Sequence, residues 1–206
     1  MKKSLFLLFT FLMTIGKTYA DKLVVDNLNV PQGGQASLII KFQFDVENLY
    51  SGYQFSLTLP EGFSTVKNEA GNPTFMLGDC YDTSYTVSSS CVACVDNFVA
   101  LSLQSVPLKG KTGVLLEIPV TALESLNVGD TFVGKLSGIQ FGNKDGINTT
   151  YLDDIYFTIT ITEPADPWIT LDENSTNLPK ESNGETPIKV LRTIKANQWN
   201  TICFPF

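Results

Sequence analysis

Residues 36–46 read ASLIIKFQFDV, and their alternation narrows what this chain can fold into. Leu38, Ile40, Phe42, Phe44 and Val46 fall on one side of an extended backbone, and Ser37, Lys41, Gln43 and Asp45 on the other. A period of two belongs to a half-buried strand, because successive side chains of an extended chain point to opposite faces. Slipping the register by one residue would expose the whole apolar set, so the pattern fixes which face is inside. The pattern recurs. Tyr53, Phe55, Leu57 and Leu59 alternate with Gln54, Ser56 and Thr58 in GYQFSLTLPEGF, where Pro60-Glu61-Gly62 supplies a turn. Residues 98–104 are rich in strand formers, and Val114, Leu116, Ile118 and Val120 alternate again. Ile155, Phe157, Ile159 and Ile161 face away from Tyr156, Thr158, Thr160 and Thr162. Gly134 and Gly138 inside residues 132–141 predict a bend or a bulge. No stretch of the mature chain has the period of an amphipathic helix; residues 122–126 could form a turn at most. The expectation is an all-β fold over residues 23–162, an antiparallel two-sheet sandwich. Phe42, Phe44, Phe55, Leu57, Leu116, Ile118, Phe157 and Ile159 should be in its core, with Lys41 and Gln43 facing solvent.

Three other segments frame this region. The chain opens MKKSLFLLFTFLMTIGKTYA: Lys2 and Lys3, then an apolar run from Leu5 to Ile15, then small residues at Thr18 and Ala20. That order is a secretory signal peptide over residues 1–20, cut between Ala20 and Asp21, and the apolar run is too short to span a bilayer comfortably. Removing it takes three lysines and leaves 11 basic against 21 acidic residues. An acidic surface of this kind repels phosphate and excludes nucleic acid as the expected partner. No later run is long and apolar enough for a membrane span, so none is expected in the mature chain. At ITEPADPWITLDE the composition changes, and Pro164 and Pro167 cannot lie in a central strand. We place a linker at 163–167 and, from 168 to 206, an incomplete second β module with strands at 168–171, 188–195 and 199–204. Three strands are too few to bury a core alone.

Candidate chemistry is sparse. The chain has no histidine, which removes Ser-His-Asp and Cys-His catalysis and every histidine-containing metal site. Four cysteines remain: Cys80, Cys91, Cys94 and Cys203. The C-x-x-C at 91–94 could be half of a zinc site, a redox pair or part of a structural cystine. Zinc would need Cys203 from beyond the linker, and a thioredoxin-type pair needs a helix N-terminus that residues 88–104 do not offer. In an extended strand Cys91 and Cys94 stand about 10 Å apart, so a local bridge requires a turn at Val92-Ala93. Pairing of Cys80 with Cys91 or Cys94 is the favoured disulfide, and a fully reduced set is the alternative. GNKDGIN at 142–148 has the core of a calcium loop, but Phe141 and Leu152 stand where acidic ligands belong. An Asp-Gly turn is expected there, with weak calcium binding by Asn143, Asp145, Asp153 and Asp154 as the other reading. Asp153 and Asp154 point to opposite faces of a strand and make a poor acid–base pair. Asn148 and Asn174 occupy N-x-T sequons, to which no role is assigned. No catalytic residues, metal or cofactor are expected.

An ordered series of segments carries a resemblance. LVVDNLNVPQGGQASLIIKFQF gives an early strand, a glycine turn and a long strand; the GYQFSLTLPEGF hairpin follows; LKGKTGVLLEIPV feeds a core strand; VGDTFVGKLSGIQF and LDDIYFTITI close it. Residues 23–162 thereby resemble the cohesin-like modules of secreted proteins from anaerobic bacteria, which share the β-sandwich superfamily of carbohydrate-binding module families two and three. LDENSTN and VLRTIKANQWNTICFPF look like the opening of a β-rich repeat module of surface proteins. The resemblance implies a nine-strand jelly-roll sandwich, non-catalytic, that binds. Two partner classes follow: an extracellular protein, as for a cell-surface scaffold module, or a glycan. Sugar platforms use exposed planar aromatics, most often Trp. Residues 21–162 contain no Trp, since Trp168 and Trp199 lie past the linker. Tyr50, Tyr53, Tyr81, Tyr85, Tyr151 and Tyr156 are the remaining candidates, so protein interaction is the favoured reading and carbohydrate binding the alternative.

Overall fold

A computed structural model describes residues 21–164, 169–172 and 188–191 of the chain. Two units divide between Thr162 and Glu163. In the first, the alternating segments are strands: β1 (Lys22–Val25), β2 (Leu28–Pro31), β3 (Gln35–Gln43), β4 (Tyr50–Thr58), β5 (Phe63–Thr65), β6 (Met76–Leu77), β7 (Tyr85–Val92), β8 (Val95–Ser102), β9 (Thr112–Ala122), β10 (Thr131–Asn143), β11 (Thr149–Tyr151) and β12 (Ile155–Thr162). No helix occurs among the described residues. One sheet has the order β1-β3-β9-β5, with β6 also on β9; the other has the order β2-β12-β10-β4-β8-β7, with β11 also on β10. Twelve strands stand where the resemblance implies nine, and the surplus lies in short pieces such as β6, of two residues, and β11, of three.

The expected core is the observed one. Phe42, Phe44, Phe55, Leu57, Leu116, Ile118, Phe157 and Ile159 are all buried between the sheets. Phe44 stacks on Phe42 with ring centroids 4.5 Å apart and meets Tyr50 and Phe141 edge-on at 4.7 and 5.1 Å. Lys41 and Gln43 lie on the outer side of β3, and Lys41 pairs with Asp26.

Local irregularities correct the reading at four places. Val46 is 52% exposed, because β3 ends at Gln43 and the Asp45 N–H leaves the ladder to donate to Asp21 Oδ1 at 2.7 Å. Val114 is not in the inner set. The β3–β9 register steps from Ile40↔Leu116 to Lys41↔Val114, so Leu115 is the extra residue of a bulge, fully buried, and Val114 shares the outer side of Lys41. The GYQFSLTLPEGF segment is no hairpin: β4 belongs to the seven-stranded sheet and β5 to the five-stranded one, so the turn at Pro60-Gly62 crosses between layers. Finally, the sandwich is not wholly antiparallel. The chain changes sheets at Asp26-Asn27, which brings β2 beside β12 in parallel, and Asn27 Oδ1 accepts the Thr158 N–H at 3.0 Å at the crossing.

The two glycines of β10 do different work. Gly138 has φ +60° and sits where pairing with β4 jumps from Ser137↔Ser56 to Gln140↔Gln54. The inner set therefore passes from Leu136 to Ile139 and Phe141. Gly134 bends nothing; a Cβ there would lie 2.3 Å from the Phe157 ring, so the glycine makes room for that ring. The segment at 122–126 is a turn, with the Leu126 N–H near Leu123 O at 3.4 Å.

In the second unit, β13 (Ile169–Asp172) pairs in parallel with β14 (Ile188–Leu191). The expected signal peptide, the strand at 199–204, Trp168, Trp199, Asn174 and Cys203 lie outside the described residues.

Candidate functional site

Strand pairing in the seven-stranded sheet lays its outward side chains in rows. Gly142, Gly52, Leu101 and Thr86 form one row across β10, β4, β8 and β7. Gln140, Gln54, Val99 and Ser88 form the next, and Ser137, Ser56, Asn97 and Ser90 the third. None of the twelve is charged. Val99 and Leu101 stand in the middle, 43% and 49% exposed. Their neighbours are locked in place: Ser56 Oγ donates to Asn97 Oδ1 at 2.7 Å, and Asn97 Nδ2 donates to the Val95 carbonyl at 3.3 Å. Gly52 keeps the plane flat, since a Cβ there would lie 2.9 Å from the Ala100 carbonyl oxygen. An uncharged plane with two aliphatic side chains, on a chain this acidic, has the composition of an interface core, where charged residues are depleted. It is preformed, since its four strands are hydrogen-bonded neighbours, with the ladder interrupted between Ser137 and Gln140 by the Gly138 bulge.

This face was not singled out in the sequence, although a signal was there. In NFVALSL both parities are apolar: Phe98 and Ala100 point inward and are buried, while Val99 and Leu101 are left outside. A strand with one solvated face should carry polar residues there.

The sequence-derived candidates fall elsewhere. Cys80 is buried, and its thiol donates to the Val114 carbonyl at 3.2 Å; burial pushes that thiol up to about 12. Cys91 lies on β7 opposite Asp96, half-buried, and Lys67 Nζ donates to its sulfur at 2.9 Å. Cys94 is exposed in the tight turn between the Val92↔Val95 pair, where Ala93 and Cys94 both have positive φ, 50° and 64°. That turn comes one residue later than a local Cys91–Cys94 bridge needs. All three thiols are free, so the expected pairing of Cys80 with Cys91 or Cys94 is not made in this structure.

The Asp145 segment is a turn, and the carboxylate is occupied. Its Oδ1 accepts the N–H groups of Ile147 and Asn148 at 2.9 and 3.3 Å, and its Oδ2 accepts the Asn148 amide at 2.9 Å. These donors hold the Asp145 carboxyl below its usual range. Asp154 is drawn away to Lys135 at 2.7 Å, and Asp153 is exposed. Asn143, Asp145, Asp153 and Asp154 therefore do not converge, and among the described residues no group of three or more His, Cys, Asp or Glu side chains could hold a metal.

Of the tyrosines considered for sugar stacking, Tyr50, Tyr53 and Tyr81 are buried and Tyr85 is partly buried. Tyr53 and Tyr81 share a hydrogen bond of 2.5 Å between their hydroxyls. Tyr151 and Tyr156 are exposed, but they pair with Gln140 and Lys135, well apart along β10, and Lys135 Nζ covers the Tyr156 ring at 5.5 Å. They form no shared platform.

No family model and no curated protein matches the chain. Solved structures do match. A non-cellulosomal cohesin from the archaeon Archaeoglobus fulgidus superposes with a TM-score of 0.55 at 14% identity, covering 70% of this chain and 93% of that one. A cohesin–dockerin complex from Clostridium thermocellum gives 0.53 at 11% identity, covering 69% and 99%. The cohesin module of a family 33 glycoside hydrolase from Clostridium perfringens gives 0.51 at 18% identity, covering 69% and 96%. The first unit of this chain has the β-sandwich fold of cohesin modules.

Proposed function

We propose that residues 21–162 are an exported, non-catalytic scaffold module that acts at the cell surface by binding a partner protein on the outer face of β10, β4, β8 and β7. The observation that carries this is the charge-free plane around Val99 and Leu101 on an otherwise acidic chain. A flat, preformed, uncharged surface loses little on desolvation and little order on docking. Cohesin structures of the same fold are described in complex with dockerins, which makes a dockerin-like module of another exported protein the partner class to try first. Export rests on the sequence of residues 1–20. A glycan is the less favoured ligand, because the face carries no aromatic side chain.

The test is capture of secreted proteins from the source organism with three immobilised forms of the chain: wild type, Leu101→Glu, and Val114→Glu on the opposite outer face. The reading predicts one partner retained by wild type and Val114→Glu and lost by Leu101→Glu. Equal capture by all three, or retention of polysaccharide instead of protein, contradicts it.

A further inference from the structure

At one rim of the sandwich a lysine and a cysteine from opposite layers meet. Lys67 follows β5 of the five-stranded sheet, where the neighbouring Val66 N–H is bound to the Pro119 carbonyl at 2.9 Å and Lys67 itself bridges to Pro73. Cys91 sits near the end of β7, in the other sheet. Lys67 Nζ and Cys91 Sγ are 2.9 Å apart, closer than nitrogen and sulfur stand at van der Waals contact. Both are reachable from solvent: Lys67 is exposed and Cys91 half-buried. Beneath them is Asp96, 6% exposed. Its Oδ2 accepts the Thr65 hydroxyl at 2.7 Å, whereas its Oδ1 has no hydrogen-bond partner and lies 3.8 Å from Lys67 Nζ. Lys67 thus donates to the sulfur and leaves a buried carboxylate oxygen unsatisfied, which is costly unless that oxygen has another use.

We propose that Lys67 and Cys91 are the two ends of an oxidative crosslink, in which one oxygen atom joins Nζ to Sγ and staples the two sheets together. The oxidant is dioxygen. The S–H bond and an N–H bond break, and S–O and O–N bonds form. The second oxygen atom of dioxygen leaves as water with two hydrogens. Sulfur and nitrogen are oxidised and dioxygen is reduced. The lysine starts as an ammonium and must shed one further proton, and Asp96 Oδ1 is the acceptor beside it. A bridging oxygen suits the observed separation with little movement, whereas a direct sulfur–nitrogen bond would require the two atoms to close by more than an ångström. Cysteine chemistry of this type is reversible by thiols, as sulfenyl derivatives are. The exported location proposed above is the oxidising setting in which such a link would persist.

The experiment is peptide mass mapping of the full chain after exposure to air, with and without dithiothreitol. The expected product is a crosslinked pair of peptides containing Lys67 and Cys91, heavier than their reduced sum by one oxygen and lighter by two hydrogens, and separated again by dithiothreitol. It should persist in Cys94→Ser and disappear in Cys91→Ser and in Lys67→Arg, which keeps the positive charge; circular dichroism verifies that the variants fold. Asp96→Asn should slow its formation several-fold. A Cys91–Cys94 disulfide, sulfinic or sulfonic acid at Cys91 with no crosslink, or a crosslink that survives Lys67→Arg would overturn the proposal.

Discussion

The two outer faces of the sandwich share a core and differ in chemistry. On the five-stranded sheet, Lys22, Lys41 and Glu117 project outward among Val24, Ile39 and Val114, and Lys41 is tied to Asp26. Charges there are solvated or paired, and any partner would have to strip water from them. On the seven-stranded sheet three successive rows carry no charge, and Val99 and Leu101 lie open. An apolar side chain buried at the first face must share the cost of desolvating its charged neighbours; at the second it does not. Exposed apolar residues occur on both faces, so it is the company they keep that marks a docking surface.

The comparison breaks most completely where both faces depend on one side chain. Phe44→Asp should leave no folded sandwich. Removing a buried Phe alone costs about 3–5 kcal/mol, and a charge among Phe42, Tyr50 and Phe141 adds to that. Circular dichroism and a denaturant melt would show it, and partner binding should vanish with the fold.

A smaller effect separates the faces by pH. The Cys80 thiol lies under β9, in the five-stranded layer, and burial raises it from 9.0 to about 12. The folded state therefore holds this proton more tightly than the unfolded state does. Its contribution is complete below pH 9.0 and is lost as pH rises toward about 12. The loss is on the order of a few kcal/mol. Urea melts across this range should show wild type weakening, and Cys80→Ser, which carries no titrating thiol, weakening less. Burial likewise raises the Tyr50 hydroxyl to about 12, helped by the Asp21 carboxylate it donates to, so some alkaline loss should remain in the variant.

Gly138 tests the uncharged face from its backbone. At φ +60° an alanine is strained by about 1–2 kcal/mol, although nothing crowds the position. Gly138→Ala should destabilise the fold by that amount, seen as a lower melting temperature, and Gly138→Asn by less, because asparagine tolerates the left-handed region better. The mildest change is Gln54→Glu, isosteric and exposed on the central row. Stability should stay within about 0.5 kcal/mol, while partner affinity falls about fivefold or about 1 kcal/mol in calorimetric titration. Lys41→Glu, on the other face, should leave affinity unchanged.

Period-two patterns were enough to read the sandwich. Phe42, Phe44, Phe55 and Phe157 could be assigned to the core because each belongs to a set whose opposite parity is polar. Where the structure inserts one residue, parity fails. Leu115 is such an insertion and turns Val114 outward, with no glycine to announce it. Gly138 was legible because a glycine in a strand flags a bulge. Sheet changes at Asp26-Asn27 and Pro60-Gly62 were not legible, since a turn residue shows that the chain bends and not which layer it enters. The cysteines drew attention by their spacing, yet Cys91 is distinguished by Lys67, twenty-four residues away in sequence. The proposed docking face is a property of four aligned strands, β10, β4, β8 and β7, and only the register shows that their outward residues form one charge-free surface.

The most direct test of the central claim is an amide hydrogen-exchange footprint of the captured partner on the chain. The account predicts slowed exchange in β4, β7 and β8 around Gln54, Ser88, Val99 and Leu101, with β3 and β9 unchanged around Lys41 and Glu117. Protection centred on β3 and β9, with β8 exchanging as in the free protein, would contradict it.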